Sequence, residues 1–211
     1  MKIHFSIVLF FISLLCSSQN DSVAYSRDYE FKEGIYLTAD QFQKNNPIPK
    51  SAIVSSYPKT ESDFLTQMFT QKYIVIKDSL GKEQKIESAT VFGYCQNRSV
   101  YINFDKEFNR LNVIGTFCHF TATVTTNNGY RDPMDANYAI NTSANELRQF
   151  IFDTRTNKVL DFNVKNMEVL LKDDIDLYNQ FMGLKKREKS NVIFIYLRKY
   201  NEKHPLYLPA K

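Results

Sequence analysis

Two cysteines and two histidines follow the first eighteen residues: Cys95, Cys118, His119 and His204. A thiol activated by an imidazole is the simplest nucleophilic site these residue types allow. Cys118 and His119 are chain neighbours, so on one regular strand they point to opposite faces and form no dyad. A Cys95–His119 pair across strands stays open, although nothing nearby announces an activated thiol. The simpler expectation for His119 is a buried or half-buried strand histidine. An oxidising compartment permits a disulfide between Cys95 and Cys118, and with two residues only one intramolecular pairing exists. The alternative is a pair of buried free thiols, each packing as a small hydrophobe.

Other chemistries find less support. Structural zinc wants four Cys or His ligands in closely spaced pairs, and no such spacing occurs. Asp132, Asp135 and Asn137 offer oxygens, but without the glycine and terminal glutamate of an EF-hand loop, so they read as turn formers. There is no G-x-S-x-G elbow, P-loop or G-x-G-x-x-G. Asp173, Asp174 and Asp176 read as the acidic start of a helix. No cofactor is expected. Tyr94, Tyr101, Arg110 and His119 are the surface or ligand candidates, because strand alternation can expose one row of aromatics among Tyr94, Tyr101, Phe104 and Phe117. Core packing is the simpler expectation for the aromatics.

The elements that must position these residues are legible as periodicity. Residues 34–37 (GIYL) read as a short strand. Thr38 caps the helix that follows, with Gln41 as capping-box partner and Leu37 and Phe42 as the hydrophobic staple. Asn45-Asn46-Pro47 ends that helix. Residues 47–70 read as irregular, with one helical turn near Asp63 to Met68. Residues 72–76 and a strand from Gln84 or Lys85 form a hairpin about the 78–82 turn. Residues 88–95 and 100–104 form a second hairpin, and 105–108 turns the chain again. Residues 111–126 read as one long strand, with Gly93 and Gly115 marking bulges or close backbone approach. Residues 127–145 read as a polar loop. Residues 147–153 and 158–162 bracket a third hairpin. Helices are expected over 164–172, from Asp173 or Asp174, and over about 191–203, with 185–189 (KKREK) as a basic linker.

Strands first and helices last imply an α+β fold. The expected architecture is an antiparallel core of roughly 6–8 strands in hairpins or a meander, followed by two to three C-terminal helices. Residues 19–211 are expected to form one domain, β-rich over 30–162 and helical over 163–204.

The leader shapes the expected setting. Lys2 precedes an almost unbroken apolar run from Ile3 to Leu15, too short to span a bilayer but of h-region length. Cys16 and Ser18 supply small residues for cleavage before Gln19. Lipid anchoring through Cys16 is the lesser alternative, since Leu15 occupies the position before it. The net charge of +4 is too small to imply a nucleic-acid partner. The 185–189 basic run allows peripheral membrane contact, although a solvated helix face is the simpler explanation.

Three passages, residues 31–48 (FKEGIYLTADQFQKNNPI), 91–120 (VFGYCQNRSVYINFDKEFNRLNVIGTFCHF) and the C-terminal LLKDDIDLYNQF…YLRKYNEKHPLY, resemble a set of uncharacterised exported proteins of Gram-negative bacteria. The resemblance covers most of residues 29–207. It implies export to the periplasm, the outer membrane or the medium, and implies no catalytic residue. The expected function is a non-enzymatic binding module that meets an envelope protein or glycan. The rivals are an exported hydrolase with a dispersed site and a thiol redox role for Cys95 and Cys118.

Overall fold

A computed structural model describes residues 21–78, 80–131 and 139–210. The leader with Cys16, and the run from Asp132 to Asn137, lie outside them. The strands are β1 (Ser22–Ala24), β2 (Gly34–Tyr36), β3 (Ile53–Val54), β4 (Tyr73–Lys77), β5 (Glu83–Glu87), β6 (Gly93–Gln96), β7 (Ser99–Phe104), β8 (Glu107–Val113), β9 (Phe117–Arg131), β10 (Ala139–Asp153), β11 (Lys158–Asp161) and β12 (Tyr207–Pro209). The helices are α1 (Ala39–Gln43), α2 (Phe64–Met68), α3 (Val164–Leu170), α4 (Ile175–Met182) and α5 (Lys186–Lys203). The α+β class is the expected one.

Seven strands form the main antiparallel sheet in the order β11-β10-β9-β8-β7-β6-β2. Its hairpins follow from turn chemistry. Asn97-Arg98 and Asp105-Lys106 sit at positive φ, and each pair joins adjacent strands in the two-residue connection that matches strand twist. Thr38 caps α1 by accepting from the Gln41 N–H, while the Gln41 side chain takes the Leu37 N–H.

Alternation sends the sheet's side chains into separate cores. Tyr36, Cys95, Val100, Ile102, Leu111, Cys118, Phe120, Phe150 and Phe152 share the inner face with Phe31, Phe42, Leu206 and Leu208. On the outer face, Phe117 and Ile151 meet the C-terminal helices through Leu171, Phe181, Leu197 and Tyr200. Ile35 and Tyr94 meet α2 and the small β3-β4-β5 sheet through Phe64, Leu65, Ile74 and Ile76. A register shift between Leu111 and Val113 lets Leu111 join the inner core while Val113 packs under the helices.

Several expectations need correction. The expected 111–126 strand is broken: Val113 ends β8, the chain reverses over 114–116, and β9 starts at Phe117. Residues 127–145 are not a loop throughout, because β9 and β10 stay paired from Phe117↔Asp153 to Arg131↔Ala139. Among the described residues, no third strand pairs with this ribbon beyond Gln149. Residues 144–149 along it are exposed, and a strand pair without a buried face has no reason to alternate apolar and polar residues, so its text reads as loop. The 185–189 run is no linker either. It forms the first turn of α5, Glu188 accepts from the Lys185 N–H, and Lys189 is buried on Glu168 at 2.7 Å. The permitted Cys95–Cys118 bridge is not formed, and both thiols are free and buried, as in the alternative reading. β6 and β9 are separated by β7 and β8, a path along the sheet of roughly 14 Å at ~4.8 Å per strand. A disulfide requires Cα atoms within about 7 Å.

Candidate functional site

The main sheet separates the residues that sequence reasoning linked. Cys95 and Cys118 lie in the inner core, and burial pushes both thiols up to about 12. Neither supplies a thiolate near neutral pH. His119 lies on the opposite face, so no thiol–imidazole pair is assembled. Tyr94 and Tyr101 stack at 4.7 Å beneath the small sheet, with Phe69 and Phe108 against Tyr94. They line a core and not a groove. Arg110 lies opposite Tyr101 in register and is exposed.

His119 alone among these candidates borders an open cleft. The cleft measures about 380 Å³ and lies between β10, the start of α3 and the first half of α5. Gln149, Phe162, Asn163, Ser190, Asn191 and Phe194 line it, and no charged side chain does so among the described residues. Helix α3 starts here because the Asn163 side chain accepts from the Asn166 N–H, which leaves the Asn163 amide group as a donor.

Behind this lining, His119 is 3 % exposed. Its ring meets Phe162 and Phe194 edge-on at 4.9 and 4.5 Å. Nε2 lies 3.0 Å from Gln149 Oε1, while Nδ1 has no partner among the described residues. The Gln149 oxygen accepts, so the hydrogen-bond pattern assigns the proton to Nε2 and leaves Nδ1 with a bare lone pair. Desolvation holds the imidazole below its usual pKa, against the raising effect of the Gln149 bond. A buried neutral histidine is a hydrogen-bonding group, here anchoring Gln149 at the cleft wall.

The lowered pKa has a stability consequence. The unfolded chain binds a proton at His119 below pH ~6.5, while the folded chain resists it, so the contribution is full above that pH and is lost as pH falls. The melting temperature is expected to fall between pH 7 and pH 5, and to fall less in His119→Phe. An equal fall in both proteins would assign the sensitivity to other groups.

A second polar cluster sits at the far end of α5. Asp174, nearly fully buried, caps α4 at the Leu177 N–H and pairs with Lys203 at 2.8 Å and His204 at 2.6 Å. Lys203, then His204 and the Leu177 N–H, hold its carboxyl well below the ordinary range. The expectation that Asp173 and Asp174 begin a helix therefore holds for Asp174, which is the N-cap of α4. These groups satisfy one another and tie α5 to α4.

Sequence reasoning singled out His119 but missed Gln149, Phe162, Asn191 and Phe194. Their convergence depends on α5 folding back over β9 and β10. The available signal was the placement of polar Gln149 two residues from Ile151 on a sheet face otherwise turned toward helices.

The fold and site define a sheet-and-helix protein with a small uncharged cleft. The chain belongs to the DUF6563 family, a family of unknown function, whose model matches residues 34–204. No curated protein and no solved structure matches it.

Proposed function

We propose that this protein is an exported, non-enzymatic binding module of the cell envelope, and that the cleft beside α5 takes a neutral, hydroxyl-rich sugar unit of a glycan. The observation that carries the reading is the uncharged aromatic-and-amide lining of the cleft, with Gln149 held in place by buried His119. Phe162 and Phe194 offer apolar surface to a sugar ring, and the Gln149, Asn163 and Asn191 amides offer hydrogen bonds to hydroxyls. The volume falls within the ~300–1,000 Å³ common for small-ligand sites. Export is supported by the Lys2 and Ile3–Leu15 leader with Cys16 and Ser18 at the cleavage positions.

The test is NMR titration of the 15N-labelled protein with N-acetylglucosamine oligomers, maltose oligomers and soluble envelope glycan fragments. Saturable shifts at Gln149, Asn191 and Phe194 are expected for at least one sugar, with affinity weakened roughly tenfold in Gln149→Leu by loss of about 1.4 kcal/mol of hydrogen bonding. The reading fails if no sugar shifts these signals or if Gln149→Leu binds as tightly. Cleavage products that vanish in His119→Gln would replace it with the hydrolase reading.

A further inference from the structure

A larger recess, of about 610 Å³, opens farther along α5, toward its C-terminal end, between residues 24–27, the β8–β9 reversal and residues 205–206. Its shape depends on Gly115. A Cβ there would lie 2.5 Å from the Asn201 side chain. Asn201 is itself fixed, accepting from the Phe117 N–H at 2.9 Å and donating to the Phe117 carbonyl at 2.8 Å. The reversal is thus held tightly to α5, and Val113, Ile114 and Leu206 give the recess an apolar wall.

Two arginines from distant parts of the chain, Arg27 and Arg198, reach this recess. Both are exposed, and neither makes an ion pair among the described residues. Glu202 also lines the recess, four residues after Arg198 on α5, and no ion pair joins the two among the described residues. Arg198 instead lies over the Phe194 ring at 5.9 Å. Two free guanidinium forks on one concave surface favour a carboxylate or phosphate, which each fork can hold through paired N–H groups. The apolar wall beside them favours a chain attached to that anion.

We infer that the Arg27–Arg198 recess binds an anionic amphiphile, an acyl or alkyl chain ending in a carboxylate or phosphate. This inference is independent of the sugar cleft. The head pairs with both guanidinium groups, and the chain lies along Val113, Ile114 and Leu206.

Calorimetric titration of the full chain with decanoate, decyl phosphate, decyl glucoside and inorganic phosphate, each below its micelle concentration where one exists, tests it. At least one of the two charged amphiphiles is expected to bind one per chain. Decanoate alone assigns a fatty-acid head, and decyl phosphate alone assigns a phospholipid-type head. Affinity is expected to fall roughly tenfold in Arg27→Gln and in Arg198→Gln, as for loss of a charged hydrogen-bonding group. Glu202→Gln is expected to tighten binding, an opposite-signed effect that a damaged fold would not produce. Equal binding of decyl glucoside, equal binding of tail-free phosphate, or undiminished affinity when both arginines are replaced would overturn the inference.

Discussion

Arg155→Met is expected to remove about 3 kcal/mol of folding stability, read as a lowered urea midpoint at unchanged slope. The guanidinium grips Asp153 through Nε and one terminal nitrogen, each at 3.0 Å. Its other terminal nitrogen donates to the Tyr200 hydroxyl at 2.8 Å and to Asp173, and Tyr200 donates to Asp173. The plane lies over the Phe117 ring at 4.6 Å. One side chain therefore joins the β10–β11 turn, the start of β9, the turn before α4 and the end of α5. Asp153 is 2 % exposed, so removing the guanidinium leaves a buried carboxylate with no counter-charge and, among the described residues, only the Arg155 backbone N–H as donor. Severing a buried pair costs ~3–5 kcal/mol, and the low end applies because Arg155 itself is partly solvated. Asp153→Asn in the same background should restore part of the loss. A loss below about 1 kcal/mol would instead mark an ordinary surface pair.

Gly34→Ala is expected to destabilise by a similar or larger amount, about 3 kcal/mol. Gly34 sits at φ +146°, and a Cβ there would lie 2.2 Å from the Ile48 carbonyl oxygen. That oxygen cannot simply retreat. It accepts from the Ile35 N–H at 2.9 Å, while the Ile48 N–H donates to Ile35 at 2.8 Å. The added methyl must break this bridge or displace β2 from Cys95, its neighbour in register. Thermal melting and faster hydrogen exchange at Ile35 and Ile48 would report the damage. An unchanged melting temperature would mean that residues 45–48 swing away freely.

The legibility of this fold tracks how local its determinants are. Thr38 and Asn163 were readable as caps because each cap is satisfied within three residues. The 97–98 and 154–157 turns were readable because each carries an asparagine, the residue type most tolerant after glycine of the positive φ that Asn97 and Asn157 adopt. The reversal at 114–116 was hidden, because its cause is the distant Asn201 fitting against Gly115. The KKREK run misled for the same reason: Lys189 is drawn inside by Glu168, 21 residues earlier. Of the candidate site, alternation correctly set His119 against Cys118. It gave no access to Gln149, Asn191 or Phe194, since helix placement across a sheet is not written in any short window.

The β1–β12 pair brings Val23 opposite Leu208, so segments nearly the whole described length apart seal the inner aromatic layer. Closing so long a loop adds only slowly to the entropy cost, but such distant contacts raise contact order and slow folding. Until the chain through Leu208 is available, Phe31 and Phe42 lack their final cover. That interval is when a holdase chaperone would find them, and when aggregation would compete with completion of the fold.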